Sequence, residues 1–131
     1  VDLARQVARG EPVDLAMSYV NVIWLGDANA MALRAVTHAA TPARIINIAG
    51  PDILAVRDVG AKLGQLVGVP PQFVGRESEE ALLNNGRRGY QLLGSPLMPV
   101  DQVLEWTARW IQQGGPLLDK PTHFQNRSGQ F

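Results

Sequence analysis

The residues able to do acid, base or nucleophilic work are few, and little in their spacing joins them. Asp27 stands at a junction, where the β-rich run Asn21-Val22-Ile23-Trp24-Leu25 meets Gly26-Asp27 and passes into the helix-forming stretch 28–36. A general acid needs a raised pKa, whereas a carboxylate at a helix start accepts free N–H groups and is held charged, so a capping role is expected for Asp27. His38 and His123 are far apart in sequence and belong to no ligand-spaced cluster, so no metal site is expected. His38 ends an Ala-rich helical run, where capping or packing near the C-terminal dipole is the expected role. Ser18, Ser78, Ser95 and Ser128 lack a G-x-S-x-G surround, and Glu77, Glu79 and Glu80 form a solvated charge run in a connector. Trp106 and Trp110, four apart, are expected to pack rather than to stack on a ligand. No G-x-G-x-x-G turn and no P-loop is present to cradle a pyrophosphate. No residue of the chain is therefore assigned a catalytic, cofactor-binding or metal-ligating role.

The elements that would position these groups are legible in outline. A helix over the first ten residues, closed by Gly10, leads to two short strands or one bent one between Val13 and Leu25. A helix from Asp27 or Ala28 to about Ala40 is stopped by Thr41-Pro42. The run 43–49, Ala-Arg-Ile-Ile-Asn-Ile-Ala, has the near-continuous apolarity of a strand buried on both faces. Val56, Val59, Leu63, Leu66 and Val67 recur at helical spacing and end at Gly68. A brief strand around Phe73 and an acidic connector precede a short helix, 86–93. Pro99 then starts a last helix whose apolar stripe is read as Val100, Val103, Leu104, Thr107, Trp110 and Ile111. The remainder, from Pro116, shows no period and is expected as an extended tail.

At 131 residues, 46% apolar and 18% charged, the chain is expected to fold as one compact unit or as one piece of a larger one. Basic and acidic residues balance at 12 each, and no basic tract argues for nucleic acid. The absence of cysteine rules out disulfides and thiolate chemistry, and a cytoplasmic location is expected. No apolar run approaches the roughly 18–20 residues that cross a bilayer, so no membrane partner is expected. The chain opens with Val1 on a helix already under way, which suggests a missing upstream part.

Taken in order, NVIWLGDANAMALRAV, RIINIAG, VRDVGAKLGQLVG, NGRRGYQLLGSP and VDQVLEWTARWI resemble the C-terminal part of an extended short-chain dehydrogenase/reductase, the NAD-dependent epimerase/dehydratase family. The resemblance spans about residues 1 to 113. It implies an α/β fold: a small substrate-binding lobe, 1–115, of three to four helices with a few short strands, followed by a tail, 116–131. The Rossmann portion is absent, and with it the nicotinamide site and the Tyr-x-x-x-Lys pair; Tyr19 and Tyr90 are followed four places on by Ile23 and Gly94.

The resemblance further implies that the cofactor, NAD or NADP, belongs to the parent enzyme and that this chain carries none and is inactive alone. Its partners would be a small-molecule substrate and the missing Rossmann lobe, with self-association through the uncovered surface. Tyr19, Asn21 and Trp24 are candidate substrate contacts because the strand before Asp27 should face the cleft between lobes. Asn85 and Arg88 match the family's Asp and Lys ahead of Leu-Gly. The chain departs from the family pattern where nucleotide-diphosphate sugars are usually clamped: Val20 and Asn21 occupy the places six or seven before Asp27 that usually hold an Arg. Leu93-Gly94-Ser95-Pro96 has lost the family's tryptophan, and Ala55 replaces the usual helix-capping Ser. A smaller or less anionic substrate is therefore expected. The alternative reading is a free-standing protein-interaction module, suggested by the helix ANAMALRAV, apolar nearly all round. Lys120, His123, Asn126 and Arg127 of the tail are further candidates for reaching the missing lobe.

Overall fold

A computed structural model of the chain describes residues 1–79, 81, 83–118, 120 and 122. His123, Asn126 and Arg127 lie outside the described residues. Five α-helices and four short strands form two units. The count is one above the three to four helices expected, and two of the five described helices are only seven residues long.

The first unit comprises 1–20, 54–82 and 101–131. It contains α1 (Asp2–Ala8), β1 (Pro12–Asp14), β2 (Tyr19–Val20), β3 (Leu54–Ala55), α3 (Val56–Val67) and β4 (Gln72–Val74), with α5 (Val100–Gln112). β1 pairs in parallel with β4, Val13 opposite Phe73, and β2 pairs antiparallel with β3, Tyr19 opposite Ala55. Parallel pairing across so long a connection depends on a crossover that packs, and α3 provides it. Val7, Val13, Leu15 and Val56 form one buried cluster with Phe73 and Val67 against it. Ala4, Leu63 and Ala108 form a second.

α3 follows its apolar period. Val56 and Leu63 are buried, and Gly68 closes it in the left-handed region at φ 76°, where a side chain would be strained. Ala55 is its N-cap residue and supplies no side-chain hydrogen bond, as its methyl dictates. In α5 the predicted stripe is partly buried at Val100, Val103, Leu104, Thr107 and Ile111, and Leu104 and Ile111 pack with Ala108 against Ala4 and Leu63; Trp110 alone of the six is exposed. Trp106 and Trp110 are exposed, the Trp110 indole N–H donating to the Pro116 carbonyl at 3.2 Å. Ala108, a small residue outside the stripe, is the buried position of the helix among the described residues.

The second unit, 21–53 and 83–100, holds α2 (Leu25–Ala35), a 3-10 turn at Val36–His38 and α4 (Arg87–Leu93). The run 43–49 forms no strand: it pairs with no other backbone segment among the described residues, and Ile45 is 82% exposed. Apolarity marks a segment that belongs in a sheet, but a strand exists only where another backbone completes the ladder. Only Met31, Ala49 and Leu93 are buried apolar residues here among those described.

Bonds from side chain to backbone take up the work of that small core. The Asn21 amide donates to the carbonyls of Gly50 and Asn84, at 3.2 and 2.7 Å, and its oxygen accepts the Asn84 N–H at 3.2 Å. The Arg34 guanidinium donates to the Leu93 carbonyl at 2.9 Å, where the last turn of α4 leaves an acceptor free.

Candidate functional site

Asp27 does not cap α2. Helix α2 begins two residues earlier, with Trp24 as N-cap, so Asp27 already lies in the first turn. Its carboxylate turns to another segment and accepts the N–H groups of Leu97 and Met98 at 3.1 and 2.8 Å. Two backbone N–H groups converging on one carboxylate oxygen make Asp27 a tether for the 94–98 loop.

Within the same unit a cleft of about 500 Å³ is lined by Asn47, Asn85, Arg87, Arg88 and Gln91. Local chain chemistry builds it. α4 opens after Gly86, and Gly89 faces the Asn47 carbonyl so closely that a methyl group would overlap it. This close approach sets Arg88 and Gln91 beside the 43–49 run. The Asn47 amide donates to the Asn85 carbonyl at 3.3 Å, and the Asn85 side-chain oxygen accepts the Arg87 N–H at 3.1 Å. Tyr90 anchors the helix from its other side, donating its hydroxyl to the Ala49 carbonyl at 3.0 Å. Burial, and after it the Asp52 carboxylate, push the Tyr90 hydroxyl above its ordinary value, so it remains a donor.

Among the described residues the lining carries two guanidinium groups, three carboxamides and no carboxylate. Arg87 and Arg88 are exposed and pair with no described acidic residue, and both stand at the start of a helix, where a cation is disfavoured. Such a surface can accept an anionic or strongly polar group; it holds no nucleophile and no general base. Among the described residues no three His, Cys, Asp or Glu side chains converge as metal ligands.

Of the residues singled out from sequence, Asn85 and Arg88 line this cleft. Asn21 does not, because its amide is committed to backbone partners. Trp24 is 37% exposed at the start of α2, and Tyr19 belongs to the first unit, on β2, 41% exposed. Asn47, Arg87 and Gln91 were missed. The lone Asn inside an otherwise apolar run was a usable signal for Asn47, whereas nothing in sequence distinguishes Arg87 from a solvated surface arginine.

No protein-family model matches the sequence, and no curated protein matches it significantly. Solved structures do resemble it. UDP-glucuronic acid 4-epimerase from Bacillus cereus, in complex with NAD, matches 85% of this chain with a TM-score of 0.64 and 18% identity. RMD from Pseudomonas aeruginosa, complexed with NADPH, matches 86% with a TM-score of 0.70 and 18% identity. UDP-glucose 4-epimerase from Thermotoga maritima, with UDP-glucose, matches 86% with a TM-score of 0.65 and 15% identity. The chain spans 38%, 42% and 38% of the length of these proteins. At such identity the likeness establishes architecture alone: the chain has part of the fold seen in these three proteins.

Proposed function

We propose that this chain is the substrate-binding C-terminal portion of an NAD(P)-dependent epimerase/dehydratase-type oxidoreductase, whose nicotinamide site and Tyr/Lys pair lie on a Rossmann lobe outside the residues present here. The observation that carries this reading is the bare apolar surface of the second unit. Leu33 and Val36 on and just after α2 are 74% and 71% exposed, and Ile45 in the unpaired 43–49 run is 82% exposed. An unpaired apolar run and a helix face without a cover fit a unit that packs against another lobe. In that arrangement the chain supplies substrate contacts and the other lobe supplies hydride transfer, so the isolated chain turns over nothing.

The ligand is a small molecule other than a nucleotide-diphosphate sugar. Val20 and Asn21 cannot offer the bidentate fork that a diphosphate calls for, Val20 being paired with Leu54 and Asn21 bonded to backbone. Asn85 and Arg88, with Asn47, Arg87 and Gln91, are the contacts proposed for it.

A second reading, a free-standing interaction module, draws on the same exposed α2 face. NADH fluorescence titration separates the two, together with the reading frame upstream. The substrate-lobe reading expects a G-x-x-G-x-x-G turn and a Tyr-x-x-x-Lys pair upstream, NADH binding by the longer polypeptide, and no saturable NADH binding by residues 1–131 alone. Their absence upstream, or a micromolar NADH site on the isolated chain, would overturn it. For the isolated chain, sedimentation should show self-association that Leu33→Lys weakens.

A further inference from the structure

We infer that the cleft between the 43–49 run and α4 is an oxyanion site that takes a single dianionic group such as a phosphate. This deepens the proposal above, resting on it for the identity of the ligand as a substrate; the binding of the oxyanion itself is a property of the second unit alone.

Charge balance comes first. The five described lining side chains include Arg87 and Arg88 and no acid, so two positive charges face the cleft with no counter-charge among the described residues that line it. Asp52, the carboxylate near enough to act on Tyr90, does not line it. Two adjacent cations repel, and at the N-terminal turn of α4 they also oppose the peptide dipoles, so the arrangement favours an anion between or beside them.

Hydrogen-bond capacity comes second. The Asn85 side-chain oxygen is occupied by the Arg87 N–H, and the Asn47 amide by the Asn85 carbonyl. What the lining still offers is mainly donors: the two guanidinium forks, the Asn85 amide and the Gln91 amide. Planar forks match the oxygens of phosphate or carboxylate two at a time. Two forks and a charge of two select a dianion over a monocarboxylate.

Size comes third. At about 500 Å³ the space suits a phosphorylated small molecule and lies within the roughly 300–1,000 Å³ of ordinary ligand sites.

The test uses the chain of residues 1–131, isotopically labelled, with inorganic phosphate as probe at constant ionic strength maintained with sodium chloride. Amide resonances of Asn85, Arg88 and Gln91 should shift saturably with phosphate and not with chloride. Arg87→Gln and Arg88→Gln should each weaken the site roughly fivefold, and the double variant should lose it, while resonances of α3 stay in place. Acetate, titrated in parallel, should bind more weakly than phosphate.

Phosphate shifts no different from those of chloride, or an affinity unchanged in the double variant, would overturn the site. Acetate binding as tightly as phosphate would overturn the dianion assignment. Saturable phosphate binding by a chain that also binds NADH would sink the lobe assignment and leave the oxyanion site standing.

Discussion

Replacing Asp27 by Ala tests whether a single carboxylate holds the loop after α4 in place. In the native chain one oxygen accepts two backbone N–H groups, from Leu97 at 3.1 Å and from Met98 at 2.8 Å. A hydrogen bond to an ionised acceptor contributes about 1.5–3 kcal/mol when shielded from water. The Leu97 bond is exposed and is discounted, whereas the Met98 bond is partly buried and keeps most of that value. A further ~0.3–1 kcal/mol comes from a negative charge in the first turn of α2. The expected loss for Asp27→Ala is therefore about 2–3 kcal/mol. Asp27→Asn keeps one acceptor without the charge and should lose about half as much. Amide hydrogen exchange reads the effect locally: the protection of Leu97 and Met98 should fall by roughly ten- to a hundredfold in the Ala variant, with α3 unchanged. Equal protection of these two amides in native and variant chains, together with an unmoved urea midpoint, would refute the tether. An enzymatic role for Asp27 would show the opposite split, with stability kept and activity of the longer polypeptide lost.

Other perturbations follow from single features. The Tyr90 hydroxyl, raised by burial and then by Asp52, should ionise above the ordinary tyrosine range in an absorbance titration of the chain and its Tyr90→Phe variant. Because the folded value lies above the unfolded one, its contribution to stability is present below about pH 10 and is lost as pH rises through the folded value; a Tyr90 absorbance change at the ordinary tyrosine value would contradict it. Ala55→Ser supplies the missing N-cap acceptor of α3 and should stabilise by about 1 kcal/mol in thermal unfolding. Gly50→Ala drives a methyl group into the Val22 carbonyl, which can yield only by moving backbone. A loss of about 3 kcal/mol or more is expected by urea titration, and a tolerated alanine would show that the contact is loose.

How much was legible in the sequence differs between the two units. In the first, period and punctuation suffice: the apolar spacing of α3, its stop at Gly68 and the β4 strand at Gln72–Val74 all follow from residue type. The structural likeness to epimerases agrees with motif order, even though no single motif is diagnostic. In the second unit the same signals mislead. The apolarity of 43–49 predicts a strand, yet no neighbour is present to pair with it. The α5 stripe, in the first unit, holds except at its end, where Trp110 is exposed and the small Ala108, outside the stripe, is buried instead.

By itself, then, the sequence determined the elements whose causes are local: helix periods, glycine stops, and the lack of any cofactor cradle or nucleophile motif. Tertiary structure decided the roles that depend on residues far apart in the chain. Asp27 meets Leu97 and Met98 seventy residues on, Asn21 spends its amide on Gly50 and Asn84, and Gly89 lets α4 approach Asn47 closely enough to form a cleft with Arg88. A carboxylate, an amide or a guanidinium has the same chemistry wherever it stands. What it does is set by which donors and acceptors the fold leaves within about 3 Å of it, and that distance is not written in the spacing of residues along the chain.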